Sequence, residues 1–184
     1  MKTARLIIRH YEPTDAARYQ ELASDRRIAV MTGPAIPHPY PDGFAAEWIA
    51  KQHSDFSAAS AFEKGVIQCA LVLKTGELIG GACLFGISKD QSKAEVGYWI
   101  GVPYWNQGFA TEAAAAMIKY GFETLGLNKI SAKYSTENPA SGRVLEKLGF
   151  VREGLLREEA TKLGATHDLI VVSLLKREFI SRSV

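Results

Sequence analysis

One turn of the chain combines residue types suited to binding an anion. An apolar strand is predicted to end near Val102, and a long helix to begin at about Ala110. Helix N-termini present unpaired N–H groups and a partial positive charge, so they bind phosphate-like anions. Gly108 lets the backbone approach such an anion closely, and Ala110 keeps the next contact small. The turn is therefore either an anion-binding loop or an ordinary corner between a strand and a helix.

Three other kinds of site find no support in the sequence. The segment Gly81–Ser88 differs by one residue from a phosphate-binding P-loop, but Ile87 stands at the lysine position and the segment has a strand pattern. A Gly-x-Ser-x-Gly nucleophile elbow is absent from the sequence. No metal site is predicted, because the histidines lie far apart without a carboxylate or cysteine at ligand spacing nearby: His10, His38, His53 and His167.

The elements that must position this turn alternate between strand and helix patterns. The predicted strands are Leu6–His10, Val66–Leu73, Leu78–Ile87, Lys93–Ile100, Ile130–Ser135 and two near Val151–Glu159 and Thr166–Lys176. The predicted helices are Ala16–Ala23, Phe44–Ser60, Ala110–Leu125 and a short helix that Asn138 caps and Pro139 opens. The four prolines of the segment Thr32–Gly43 exclude regular structure there. The pattern predicts one mixed α/β domain.

Composition narrows the functional class. The chain has 184 residues, of which 47% are hydrophobic and 23% charged, as in an average globular domain. Its 22 basic and 20 acidic residues give a net charge of +2, which provides no electrostatic reason to expect nucleic acid or a membrane as partner. No apolar run approaches the ~18 residues of a membrane helix, and no signal segment is evident. Cys69 and Cys83 lie in apolar segments, so we expect buried thiols and a cytoplasmic protein.

Several groups of residues occur in a characteristic order: Gly97-Tyr98-Trp99, then Tyr104–Ala113, Asn138-Pro139-Ala140-Ser141, Leu145–Phe150, Glu153-Gly154 and His167-Asp168. Together they resemble the GNAT superfamily of acyl-CoA-dependent N-acetyltransferases, and most closely its RimJ/RimL-like branch, which acetylates the N-termini of ribosomal proteins. The resemblance covers essentially the whole chain. It implies a single GNAT-type domain over residues 1–184. The expected fold is a mixed, mostly antiparallel sheet of about seven strands with about four helices.

The resemblance also implies acetyl-CoA as cofactor and no metal. The pyrophosphate loop would act through backbone amides of Gln107, Gly108, Phe109, Ala110 and Thr111. The pantetheine arm would pair with a strand that carries a bulge and splays from Ile130–Ser135, and the matching residues are Trp99, Ile100, Gly101 and Val102. An amide near Ile100 would polarise the thioester carbonyl. Asn138 begins the family's Asn-x-x-Ser motif and is assigned to the cofactor site.

The same resemblance suggests the catalytic groups. Ser141 ends the Asn-x-x-Ser motif and is expected to protonate the leaving thiolate, because Leu145 stands where many superfamily members have a tyrosine. The branch's general base, a glutamate, falls on Ala160 here. Glu159 would point away from the site unless a bulge corrects the strand, because a slip of one residue reverses its faces. Glu95, acting through water, is the alternative base.

The expected reaction is direct transfer of an acetyl group to a primary amine, within a complex that holds both substrates. The acceptor would enter between the first two helices, the proline-rich segment and the final hairpin. An N-terminal α-amine of a protein or peptide is favoured over a polyamine or aminoglycoside, because the candidate walls offer few acidic residues: Asp42, Glu47 and Asp55. A CoA-binding module without catalysis is a further alternative. The protein is expected to be a monomer or a homodimer.

Overall fold

A computed structural model describes residues 1–33, 35–52 and 56–182. Its strands are β1 (Leu6–Arg9), β2 (Val66–Leu73), β3 (Leu78–Ser88), β4 (Lys93–Ile100), β5 (Lys129–Ser135), β6 (Val151–Lys162) and β7 (Ala165–Leu175). Its α-helices are α1 (Ala16–Ala23), α2 (Arg26–Met31), α3 (Phe44–Ala50), α4 (Ala58–Lys64), α5 (Phe109–Glu123), α6 (Pro139–Lys147) and α7 (Lys176–Arg182). Short 3₁₀ turns occupy Pro13–Asp15 and Val102–Tyr104. The described helices include none that is long and apolar enough to cross a membrane.

The strands form one sheet in the order β1-β2-β3-β4-β5-β7-β6. All neighbours are antiparallel except β4 and β5, which are parallel and pair only from Lys93 to Glu95 on β4. Beyond Glu95 the two strands part, so the predicted splay is confirmed. The expected bulge in β4 is wrong, because Glu95–Ile100 pairs in continuous register with β3. The irregularity lies on β3 instead, between Phe85 and Ser88.

The longest helix packs across one face of the sheet. The buried side of α5 includes Ala113, Ala114, Met117 and Ile118, and it contacts the alternate strand residues that point to this face. On β4 those residues are Ala94, Val96 and Ile100, all nearly inaccessible to solvent. The small alanines let the helix lie close to the strands, because no long side chain separates the two backbones. This packing fixes where the N-terminus of α5 stands relative to the end of β4.

Helices α1, α2 and α3 cover the opposite face over β1 to β4. Their core is rich in aromatic rings, and we call Tyr11, Tyr19, Tyr40, Trp48 and Trp99 the aromatic cluster. The Tyr19 ring centroid lies 5.2 Å from that of Trp48 and 5.1 Å from that of Trp99. Aromatic pairs at such distances add to the hydrophobic gain of burial. Tyr19 of α1 therefore links Trp48 of α3 to Trp99 of β4.

The described residues contain seven α-helices, so the prediction of about four is wrong. The predicted helix Phe44–Ser60 is divided into α3 and α4, and residues 53–55 between them lie outside the described part of the chain. The two helices that the sequence did not indicate, α2 and α7, have six and seven residues. One or two turns are too short for a repeating apolar period to emerge. Strand β6 also extends three residues beyond Glu159, to Lys162.

Candidate active site

The turn before α5 has the backbone geometry of an anion-binding loop. Gly108 is the N-cap of α5 and adopts the left-handed conformation, with φ +81°. Glu112 N–H donates to Gly108 O at 3.1 Å, so the amides of residues 109–111 have no acceptor within the helix. The backbone N–H groups of Phe109, Ala110 and Thr111 can therefore donate hydrogen bonds to a phosphate. That the loop binds the cofactor stays a prediction.

An arginine from the first strand region fixes this loop, a contact that the sequence did not reveal. Arg5 Nη1 donates to Gln107 O at 2.8 Å, and the guanidinium lies 4.3 Å from the centroid of the Phe109 ring. Arg5 Nε also donates to Glu112 Oε2 at 2.7 Å. Burial would raise the pKa of the Glu112 carboxyl, but hydrogen bonds from Thr3 and Arg5 outweigh it and lower the pKa. The network fastens the N-terminal segment to the first turn of α5.

The gap between β4 and β5 exposes part of the β4 backbone. Gly101 N–H donates to Ile79 O at 2.8 Å, and pairing with β3 alternates from there along β4. The alternation turns the N–H and C=O of Ile100 and Tyr98 towards the gap. Trp105 Nε1 donates to Ile100 O at 2.6 Å, so the carbonyl of Ile100 is satisfied by a side chain while its amide faces the gap.

Two residues assigned to the cofactor strand lie outside it. The strand ends at Ile100, which agrees with the predicted range Lys93–Ile100 and lies two residues before the end near Val102 that was predicted from the turn. Gly101 directs its amide to β3, and a Cβ there would come within 2.7 Å of Leu22 on α1. Val102 begins a 3₁₀ turn. A sequence pattern does not define the last residue of a strand, because the following turn begins with residues that are equally apolar.

The N-terminus of α6 brings Ser141 against a tyrosine of β4. Asn138 caps α6 as predicted, because its Oδ1 accepts a hydrogen bond from Ser141 N–H at 3.2 Å. Its Nδ2 donates to Met31 O at 3.4 Å. The Tyr98 hydroxyl lies 3.1 Å from Ser141 Oγ and 3.3 Å from Ser141 O. Burial raises the pKa of Tyr98 to about 12, so its hydroxyl stays protonated near neutral pH.

Glu95 projects from the opposite face of β4, towards the side covered by α1–α3. It pairs with Ser131 at the last rung of the β4–β5 ladder, where the gap opens. Burial raises the pKa of the Glu95 carboxyl, and the ammonium of Lys133 opposes this rise in part. Lys133 lies two residues after Ser131 and therefore shares its face. The gap thus separates Ser141 on one face from Glu95 on the other.

Glu159, the candidate base of the final hairpin, lies beside a bulge in β6. Leu156 pairs with Leu169 and Ala160 with His167, so four steps on β6 oppose two on β7. Glu158 within the bulge has φ +50°. The displaced backbone brings Glu159 Oε1 to 3.8 Å from Lys133 Nζ. A carboxylate of β6 therefore does reach the side chain of Lys133, although Glu159 is more exposed than Glu95.

Within residues 1–33, 35–52 and 56–182, no three His, Cys, Asp or Glu side chains form a group that could hold a metal ion.

The chain is similar in sequence to several N-acetyltransferases. An N-acetyltransferase of Bacillus licheniformis called p20, itself uncharacterised, is 34% identical over 177 residues, which are 96% of each chain. The [ribosomal protein uS5]-alanine N-acetyltransferase of Escherichia coli is 27% identical over 178 residues, covering 95% of this chain and 89% of that protein.

Among solved structures, the spermidine N-acetyltransferase of Vibrio cholerae in complex with CoA and spermine superposes with a TM-score of 0.80. The match covers 97% of this chain and 99% of that chain at 24% identity, and so establishes likeness of fold. The family model described as the acetyltransferase (GNAT) domain matches residues 5–151. The chain therefore belongs to the GNAT acetyltransferases.

Proposed function

We propose that this acyltransferase moves an acetyl group from acetyl-CoA to the N-terminal α-amine of a protein or peptide. The observation that carries the proposal is the gap between β4 and β5. It has the amide of Ile100 on its edge, Ser141 on one face and Glu95 on the other. The relationship to a ribosomal-protein alanine N-acetyltransferase favours a peptide acceptor.

The residues present suit CoA. The unpaired amides of residues 109–111 would hold its pyrophosphate, with Gly108 leaving room for the approach. The open edge of β4 at Ile100 and Tyr98 would pair with the amides of the pantetheine arm as another strand would. When bound, acetyl-CoA supplies the acetyl thioester. The Ile100 amide is the donor available for its carbonyl oxygen.

Two groups would move protons. Glu95 accepts a proton from the attacking amine through water, and its raised pKa brings a carboxylate closer to the working pH of a base. Ser141 gives its hydroxyl proton to the leaving thiolate and regains a proton from water, to which Glu95 releases the proton of the amine, and the Tyr98 hydroxyl orients Ser141. Glu159 is the second candidate base because its carboxylate lies near Lys133 on the same side of the sheet.

The charges near the gap favour an acceptor with a single positive charge. Lys133 faces the side of Glu95 and lies close to Glu159, so it offsets part of the negative charge there. Asp42 and Glu47 on the α3 side are exposed, and Asp55 lies outside the described residues. A polyamine would bring a second ammonium to a face that already holds Lys133. Like charges at short distance repel.

The fraction of neutral amine near neutral pH also favours an α-amine as acceptor. Only a neutral amine attacks a thioester. An α-amino group with a pKa near ~7.8 is neutral in roughly one molecule in seven at about pH 7, whereas an amine near ~10.4 is neutral in fewer than about one in a thousand. An enzyme with an indirect base therefore gains more from an α-amine, although the greater basicity of alkylamines offsets part of this gain.

The test compares kcat/KM for N-terminal peptides, including peptides that begin with alanine, with the values for spermidine and for an Nα-blocked lysine peptide. Release of the CoA thiol reports turnover. We expect the peptides to be the better substrates near neutral pH, and a preference for spermidine would overturn the acceptor assignment. Saturable CoA binding without turnover of any amine would instead indicate a CoA-binding module.

The choice of base is tested by two matched variants. We expect Glu95→Gln to lower kcat more than Glu159→Gln, because Glu95 is the more buried and stands where the gap opens. Both substitutions preserve side-chain shape and remove the charge. A larger loss for Glu159→Gln would assign the base to the final hairpin.

A further inference from the structure

The proline-rich segment between α2 and α3 is fastened to the final hairpin by one lysine. Lys162 Nζ, at the end of β6, donates to Gly33 O at 2.7 Å and to Ile36 O at 2.6 Å. These partners are separated from Lys162 by 129 and 126 residues of chain. No ion pair of Lys162 with an acidic side chain occurs within the part of the chain that the structure describes. Burial lowers the pKa of the ammonium.

The register of the sheet shows which face Lys162 occupies. Lys162 pairs with Ala165, and Lys133 pairs with Val171, six residues further along β7. Residues an even number of steps apart on a strand share a face, and so do cross-strand partners. Lys162 therefore projects from the face that carries Lys133 and, through Ser131, Glu95. The proline-rich segment that Lys162 holds must therefore cross that face beyond the C-terminal ends of β4 and β5.

Two further contacts set the course of this segment. Ile36 is only 4% exposed and packs in the apolar core that contains the aromatic cluster. At the end of α2, Met31 O accepts the hydrogen bond from Asn138, the residue that caps the helix of Ser141. Met31 is thus connected to α6, and Gly33 and Ile36 are connected to the final hairpin.

We propose that Lys162 is a positioning residue for the amine acceptor: by fixing Gly33 and Ile36 it sets the wall of the acceptor cleft opposite α1 and α3. An ammonium suits this task, because it donates to two carbonyls at once and its charge strengthens both hydrogen bonds. The loop of residues 107–111, to which CoA binding is assigned, leads into α5 on the opposite face of the sheet, and its hydrogen bonds involve none of these groups. Lys162 should therefore act on acceptor binding and leave CoA binding unchanged.

The inference rests on the proposed acceptor face but not on the class of acceptor, so it is tested with whichever amine the wild-type protein uses best. Lys162→Met keeps the length and apolar stem of the side chain and removes the donors. We expect the acceptor KM to rise about tenfold or more, while kcat and the acetyl-CoA KM change less than about twofold. Lys162→Arg should restore most of the affinity, because a guanidinium can also donate to two carbonyls.

Lys74→Met is the matched control, since Lys74 is an exposed lysine in the turn between β2 and β3. Hydrogen exchange gives a second measurement: Lys162→Met should speed amide exchange in residues 32–43 and leave α5 unchanged. An unchanged acceptor KM, or an equal rise in the acetyl-CoA KM, would overturn the proposal. If the wild-type protein acetylates no amine, the proposed function itself fails, and unchanged exchange in residues 32–43 would still refute the role of Lys162.

Discussion

The Tyr98–Ser141 pair allows the role of the proton donor to be tested with two conservative changes. A serine hydroxyl has one proton and two lone pairs. When the Tyr98 hydroxyl donates to Ser141 Oγ, at 3.1 Å, the serine proton is free to point into the gap. Tyr98→Phe removes that hydrogen bond and keeps the ring. Ser141→Ala removes the proton donor itself.

The two changes should differ greatly in size. A hydrogen bond between uncharged groups contributes about 0.5–1.5 kcal/mol, so Tyr98→Phe should lower kcat by roughly 2–12-fold. Loss of a general acid costs roughly 10²–10⁴-fold, which is the fall expected for Ser141→Ala. Neither change should alter the acetyl-CoA KM substantially, because both side chains lie away from the α5 loop. Since the pKa of Tyr98 is about 12, its protonation should not shape the rate profile near neutral pH.

The double variant tests whether Tyr98 acts through Ser141. If it does, Tyr98→Phe should have almost no effect on kcat in a protein that already carries Ser141→Ala, because the group it orients is gone. The assay is release of the CoA thiol with both substrates saturating, and thermal unfolding checks that each variant is folded. An equal loss from Tyr98→Phe in both backgrounds would refute the orienting role. If Ser141→Ala lowers kcat by less than about threefold, Ser141 is a structural residue and not the proton donor.

Three further changes probe the loop, the base and the N-terminal network. Gly108→Val should raise the acetyl-CoA KM strongly in steady-state kinetics. A β-branched residue is strained at φ +81°, and its Cβ would stand 3.4 Å from Arg5 Nη2. An unchanged acetyl-CoA KM in a folded variant would contradict the loop assignment. Lys133→Met should raise the pKa of Glu95 further, because it removes the positive charge that lowers this pKa. The acidic limb of the kcat/KM profile should then move to higher pH. If the acidic limb does not move, Glu95 is not the titrating base. Glu112→Gln should lower the free energy of unfolding by about 1–3 kcal/mol near pH 7, as measured by urea denaturation. The pKa of Glu112 is lower in the folded protein than in the unfolded chain, so its carboxylate stabilises the fold above the unfolded pKa, and this stabilisation is lost as pH falls through the folded pKa. The difference in unfolding free energy between wild type and Glu112→Gln should therefore shrink in acid. A difference that does not change with pH would exclude the carboxylate charge as the cause.

Local sequence signals predicted most of the elements and part of the site. The apolar alternation of β2 and β4 and the helical stripe of α5 agree with the structure to within about two residues. The Asn138 cap was foreseeable because capping depends on residues only three apart. The end of β6 was not, since the chain continues with residues of similar polarity and the sheet alone decides where pairing stops.

The groups that fix the site geometry come from distant parts of the chain. Arg5 meets Gln107 across 102 residues, and Tyr98 meets Ser141 across 43. Each contact depends on the register of the sheet and on the packing of α5 and α6, which no short segment encodes. The same holds for Glu159, whose carboxylate reaches Lys133 only because of the bulge in β6.

The sequence by itself determined the family, the order of the strands along the chain, and a glycine at position 108, where φ is +81°. These properties arise from backbone preferences and apolar periods that act over a few residues. Only the tertiary structure decided that β4 and β5 part after Glu95, that Ser141 and Glu95 lie on opposite faces of the gap, and that Lys162 holds Gly33 and Ile36. Those arrangements depend on where strands stop pairing and on bulges that reverse a face, and both are set by the packing of the whole sheet.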